Sequence, residues 1–221
     1  MKYVQKLDAP QSFIAKTNSL SKWSDYHDCC NKQKRALRKY ILKYEQNFLC
    51  IYCEGKITST NESSHLEHIK PKHLDIENLT FNYKNISVSC NGNCDNNSED
   101  KINYNCGHRK DKNDTPYNDD KFLNPVEEKD IRDYFEYDFD DYFINPSDKD
   151  IQKAQYMIDT LHLNDGGLPK AREKALKAFI KKMKETSDIQ IRKKKIKQIL
   201  EQENIAFISF LLFKYKNILN I

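Results

Sequence analysis

Glu67 and His68 stand side by side in the stretch Leu66-Glu67-His68-Ile69-Lys70-Pro71-Lys72, a short way after a Cys50-x-x-Cys53 pair. A carboxylate can ligate a divalent metal, and an imidazole, whose ordinary pKa lies near neutrality, can take a proton from water. Two thiolates on one tight turn can fill two corners of a zinc tetrahedron. Their partners are Cys90 with either Cys94 or Cys106, and Cys106 is preferred because it stands just before His108 in Cys106-Gly107-His108-Arg109-Lys110. This set suits phosphodiester cleavage, which needs an activated water, a cation on the phosphate and a stabilised leaving oxygen. Glu67 and His68 point to opposite sides of an extended strand. They can serve one substrate only if the chain bends, and Lys70-Pro71 allows a bend.

The elements around these residues follow from pattern. Residues 1–18 read as an extended arm. Residues 20–46 repeat Trp23, Tyr26, Cys30, Leu37, Ile41 and Tyr44 at helical spacing, with Lys32, Lys34, Arg35, Arg38 and Lys39 on the other faces. Cys29 and Cys30, adjacent on that helix, read as buried packing. Between Asn47 and Asp114 the chain is rich in Asn, Cys, His and Gly, with β-like runs at 64–69 and 85–90. Aliphatic residues are too few there for self-sufficient packing, so a metal must supply stability. The segment 91–105 reads as an inserted loop. An acidic, aromatic stretch from Tyr134 to Asp140 suggests one or two strands ending at Asn145-Pro146. Ser147 with Asp150 resembles a capping box for a helix to about Leu163. Helices are expected over about 168–186 and, after a cap signal at Ser187, over about 188–215. The fold class is therefore α+β, mostly helical, with a zinc-stabilised ββα-metal module embedded between an N-terminal helix and a C-terminal helical region. Its parts are 1–46 (arm and helix), 47–115 (the zinc-bound module) and 116–221 (acidic connector and basic helical region).

Hydrophobic residues make up 38% and charged residues 32% of the chain, which fits a soluble protein with a wide polar surface. The net charge of +4 alone does not define a partner. Its distribution is more informative: residues 170–199 hold twelve Lys/Arg against three acids, so one face or arm is basic. Arg192-Lys193-Lys194-Lys195, set among Ile189, Ile196, Ile199, Leu200 and Phe207, forms the cationic side of an amphipathic helix. It could follow a phosphate backbone in a salt-sensitive way, or dock on an acidic partner. No secretory leader opens at Met1 and no apolar run is long enough for a membrane span. A cytoplasmic location is expected, where seven cysteines are better explained by metal than by disulfides.

Cys50-x-x-Cys53, Glu67-His68-Ile69-Lys70-Pro71, Asn85 in Tyr83-Lys84-Asn85-Ile86-Ser87-Val88-Ser89-Cys90, and Cys106-Gly107-His108-Arg109-Lys110 together resemble the HNH endonuclease motif with its zinc-binding cysteines. With Leu49-Cys50-Ile51-Tyr52-Cys53-Glu54, Ser89-Cys90-Asn91-Gly92, Phe122-Leu123-Asn124-Pro125 and Leu161-His162-Leu163-Asn164, the flanks resemble the HNH proteins of retron-associated and Septu (PtuB-like) anti-phage systems. The resemblance implies that His68 is the general base, that Glu67 and His108 hold a catalytic Mg²⁺ or Mn²⁺, and that Asn85 orients the loop carrying His68. It implies structural zinc on Cys50, Cys53, Cys90 and Cys106, phosphate contacts from Arg109 and Lys110, and products with a 5′-phosphate and a 3′-hydroxyl. Two departures stand out. Glu67 occupies a position more often Asp or His, and the insertion 91–105 makes Asp111 and Asn113 rivals to His108. His65 and His73 flank the motif and read as surface or supporting residues, with groove lining as the alternative; His27 and His162 read as packing residues on helices. The expected partners are DNA and an ABC/SMC-type ATPase. The alternatives are the same chemistry on RNA such as tRNA, or a non-catalytic zinc-stabilised nucleic-acid-binding adaptor.

Overall fold

The computed structural model describes residues 1–74, 79–92, 104–110, 116–165 and 167–219, with backbone only for His27, Asp28 and His73. In chain order these form α1 (Gln11–Thr17), α2 (Trp23–Cys29), α3 (Asn31–Tyr44), β1 (Ser64–His68), β2 (Ile86–Cys90), α4 (Cys106–Lys110), β3 (Phe135–Tyr137), β4 (Ile144–Pro146), α5 (Ile151–Leu161), α6 (Leu168–Lys184), α7 (Ile189–Glu201) and α8 (Ile208–Leu219). The class is α+β, with helices outweighing two small sheets. No helix among the described residues is long and apolar enough to cross a membrane.

The N-terminal region departs from the expected arm and single helix. Residues 11–17 are helical because Phe13 is buried against Tyr26 and Tyr83, with ring centroids 5.9 Å apart in both pairs. Such a short segment carries too little periodicity to be read from sequence. The helix expected over 20–46 breaks at Cys30, whose backbone leaves the helical region (φ −128°, ψ 40°). Cys29 and Cys30 thus sit at a junction and are bridged to each other, so the reading of both as packing residues within one helix is corrected; only Cys30 is buried. Beyond the break, α3 buries Leu37, Ile41 and Leu42 along one stripe and packs on β2.

β1 and β2 form an antiparallel pair in which Ser64 faces Cys90 and His68 faces Ile86. A two-stranded sheet leaves outer edges whose peptide groups need partners. On β2 the buried Gln46 side chain supplies them, donating to Val88 O and accepting from Val88 N, both at 2.8 Å. The same device recurs on the second sheet, β3 with β4, where Asn164 accepts from Ile144 N and donates to Ile144 O, both at 2.8 Å.

Two of the expected caps move by a few residues. Ser147 donates to Asp133 O, and Asp150 caps α5 by accepting from Lys153 N; likewise Asp188, not Ser187, caps α7. His162 closes α5 in the left-handed region at φ 49°. The helix expected over 188–215 is two helices, separated by a turn with positive φ at Glu203 (49°) and Phe207 (56°). After the turn, Phe207, Ile208, Phe210 and Leu211 are all buried.

That turn brings the start of α8 onto the loop of the Cys50/Cys53 pair. Phe207 N donates to Glu54 O at 2.9 Å, and Glu54, only 2% exposed, accepts from Ser209 N (2.7 Å) and Ser209 Oγ (2.5 Å). Residues distant in sequence therefore share one core, running from Val4 through Leu49 and Tyr52 to Phe210. Ser209→Ala removes a donor from a buried carboxylate and is expected to cost about 1–3 kcal/mol in urea unfolding. An unchanged midpoint would show that the clamp does not hold α8.

Candidate active site and metal centre

The Sγ atoms of Cys50, Cys53, Cys90 and Cys106 all lie within 4.8 Å of one another, and all four residues are buried. A tetrahedral zinc with Zn–S bonds of about 2.3 Å sets its sulfurs about 3.8 Å apart. The Cys53–Cys90 separation is 3.9 Å. Backbone amides support the sulfurs: Cys90 N donates to Cys50 Sγ (3.3 Å) and Gly55 N to Cys53 Sγ (3.4 Å). The donor set fits a structural zinc, and Cys106 completes it. Cys94 lies outside the described residues. The ends of the inserted loop meet, because the backbone of Asn105 passes so close to Gly92 (φ 74°) that a Cβ there would fall 2.7 Å from Asn105 O. Gly92 and Asn105 thus lie together, beside Cys90 and Cys106.

Cys106 starts α4, and Gly107 N donates to Ser89 Oγ at 3.1 Å, fixing the helix on β2. A Cβ at Gly107 would collide with the Glu67 carboxylate and the His65 ring, so a larger residue here must displace them. Glu67 is 1% exposed and accepts from Tyr52 Oη (2.9 Å), Lys110 Nζ (3.1 Å) and His65 Nε2 (3.2 Å). Burial alone would raise its pKa, but the Lys110 ammonium and the His65 contact outweigh burial and hold it at about 2. His65 Nδ1 faces Asn91 Oδ1 at 3.2 Å, and Asn91 Nδ2 donates to Asn61 O, so both ring nitrogens of His65 meet acceptors. Burial opposes a charge on His65, yet the Glu67 carboxylate and Asn91 raise its pKa. His65 also stacks on His108, with centroids 4.1 Å apart and planes within 9°. His108 Nδ1 donates to Asn91 O at 2.9 Å.

His68 is on the other face of β1. Its Nε2 donates to Thr80 O at 2.9 Å, and its ring meets Trp23 edge-on with centroids 4.4 Å apart. Burial pushes its pKa down to about 4, so the ring is neutral across the physiological range. Asn85 fixes the turn after His68: its side chain accepts from Lys70 N (2.8 Å) and donates to Lys70 O (3.0 Å) and Leu79 O (3.2 Å). Leu79 precedes the residue that receives the His68 proton, so one asparagine positions both sides of that hydrogen bond.

The structure thus brings Glu67 and His108 to one face with His65, which the sequence suggests only as a supporting or surface residue. Its alternation with Glu67, two positions apart in a strand, is the available signal. Lys110, expected at a phosphate, turns inward: its ammonium is buried between Glu67 and His68 O (2.9 Å). Arg109 lies on the α5 side, where its charge helps burial lower the pKa of His162. Asp111 and Asn113, the rivals to His108, lie outside the described residues, as do the side chains of His73 and His27. Carboxylate and imidazole donors suit a divalent cation, and Glu67 and His108, with His65 between them, are the candidate donors on this face. In the structure Lys110 and His65 balance the Glu67 charge.

No family model matches the chain. A curated protein of Vibrio cholerae serotype O1 biovar El Tor, named "Retron Vc95 putative HNH endonuclease", is 33% identical over 147 residues, which is 64% of this chain and 64% of that protein. The matched part is less than two thirds of that relative's length.

Two outcomes follow from this geometry. Purified protein should carry about one zinc per chain, and chelation should unfold the β1–β2–α4 module in circular dichroism and limited proteolysis; a module that stays protease-resistant without metal would refute the structural role. Gly107→Ala should keep its zinc yet lose about 1–3 kcal/mol in urea unfolding as Glu67 is displaced, and wild-type stability would mean Glu67 is not packed against α4.

Proposed function

We propose that the chain is a metal-dependent HNH endonuclease that hydrolyses phosphodiester bonds of DNA, serving with an ABC/SMC-type ATPase as the nuclease of an anti-phage defence system. The observation that carries this reading is the ββα arrangement in which β1 presents Glu67 to α4 and His108 on one face and His68 on the other, with Asn85 clamping the turn between. The similarity to a protein named as a retron HNH endonuclease supports it. The defence role and the ATPase rest on the motif resemblance.

In this reading His68 is the general base. With its Nε2 proton directed at Thr80 O, the neutral ring has its lone pair on Nδ1 and takes the proton of water there. The Thr80 carbonyl then favours the imidazolium that forms. Asn85 prevents the ring from swinging by holding the backbone at Lys70 and Leu79. A divalent cation, when bound, would supply positive charge for the scissile phosphate and the leaving oxygen. Glu67 and His108 would hold it, and His65 would orient Glu67. Lys110 acts from below by fixing the Glu67 carboxylate and the His68 carbonyl together.

His68→Ala is expected to lower cleavage of supercoiled plasmid in Mg²⁺ or Mn²⁺ by at least about 100-fold, the usual contribution of a general base, with zinc content unchanged. Total tRNA assayed in parallel separates the substrates: cleavage of tRNA without plasmid would move the proposal to RNA. A His68→Ala protein that cuts at the wild-type rate would remove His68 from the chemistry.

A further inference from the structure

Beside the β1–β2 sheet, α3 forms one wall of an open groove of about 500 Å³ that runs along Ser64, His65 and Leu66 of β1. No acidic side chain among the described residues lines it. The wall has three basic residues with different roles. Arg38 is buried, and its guanidinium is engaged by Thr60 O, Ser64 O and Asn61 Oδ1, holding the start of β1. Lys34, one turn earlier and itself engaged by another group of the protein, and the exposed Arg35 add two further cations to the lining. Asn91 and His108 line the groove as well, so it opens onto the Glu67 face of the site.

An aromatic residue completes the lining. Trp23 is half-buried, and the same indole that lines the groove meets the His68 ring edge-on. The groove therefore touches both faces of the proposed centre, His65 and His108 directly and His68 through Trp23. Cations for phosphates combined with an indole for a base match a site that holds a strand by its backbone and by stacking, without reading sequence. Stacking on a side chain requires a base whose face is exposed, and a paired duplex covers those faces.

We propose that this groove seats one nucleic-acid strand with unpaired bases, with Lys34 and Arg35 at its phosphates and Trp23 against a base. The proposal rests on the nuclease reading and narrows its substrate to single-stranded or locally opened nucleic acid. It also moves the main phosphate contacts from α4, where Lys110 is buried, to α3.

The test is fluorescence anisotropy with full-length, zinc-loaded His68→Ala protein and oligonucleotides of equal length: single-stranded DNA, single-stranded RNA and a DNA duplex. A single strand of either chemistry is expected to bind more tightly than the duplex. Lys34→Ala with Arg35→Ala should weaken binding and reduce the slope of log Kd against log salt by about 0.7 for each phosphate that is no longer neutralised. Trp23→Ala should weaken it about 5- to 100-fold and Trp23→Phe much less, as stacking predicts. Arg35 is exposed on a helix, so its variant reports even if Trp23→Ala fails to fold. Tighter duplex binding, or an unchanged Kd and salt slope in the Lys34/Arg35 variant, overturns the proposal, as does loss of the slope on changing Arg192 and Lys193 of α7 instead. Plasmid and tRNA cleavage by wild-type protein is scored separately. A groove that binds strands in a protein that cuts nothing would sink the nuclease reading and leave the groove.

Discussion

Four buried thiols drawn from three stretches of chain meet within 4.8 Å, and the elements of the site are positioned by that meeting. Sulfurs held so close are compatible with one another as thiolates only around a cation. The cluster fixes the Cys50–Cys53 turn against the end of β2 and the first residue of α4. Through Glu54, next in the chain, the same turn receives the start of α8. The module has few aliphatic residues of its own, so its geometry comes from sulfur at its centre and from helices packed around it.

Electrostatics then divides the two faces of β1. Glu67 is an ionised acid inside the protein, tolerated because a phenol, an ammonium and an imidazole meet it. His68, one residue on, is held neutral by burial beside Trp23, which outweighs the opposing pull of the Thr80 carbonyl. Adjacent residues in a strand diverge, and that divergence puts an ionised, charge-balanced carboxylate on one face and a neutral imidazole on the other within a single dipeptide. The small sheets cannot finish their own edges, and amide side chains do it instead. Gln46 pairs with Val88, Asn164 with Ile144, and Asn85 with the turn at Lys70. In the last case the amide clamps the turn that follows His68, just beyond the paired strands.

Much of this organisation is readable from the residues. The strands expected at 64–69 and 85–90 and the knuckle spacing correspond to β1, β2 and the Cys50/Cys53 turn, because alternation and paired cysteines are local signals. Pattern fails where long-range packing decides. The N-terminal arm contains a helix because Phe13 finds Tyr26 and Tyr83. The helix expected over 20–46 breaks at Cys30, and the one over 188–215 breaks before Phe207, because apolar residues reach a core that local periodicity does not reveal. His65 is hard to rank from sequence for the same reason: its value lies in facing Glu67 and His108, which are brought to it by the β-pairing and by α4.

By itself the sequence determined the chemistry available: four thiols, an acid beside a histidine, an asparagine ahead of the second strand, and a basic helix. Side-chain type and short-range spacing are written directly in the chain. Tertiary structure alone decided which of these groups meet. It turned Lys110 inward to neutralise Glu67, set His68 against Trp23, brought Gly92 against Asn105, and laid Lys34 and Arg35 along the groove beside β1. Those outcomes depend on contacts between residues far apart in sequence, whose free energy is set by burial and by the partners a charge finds there.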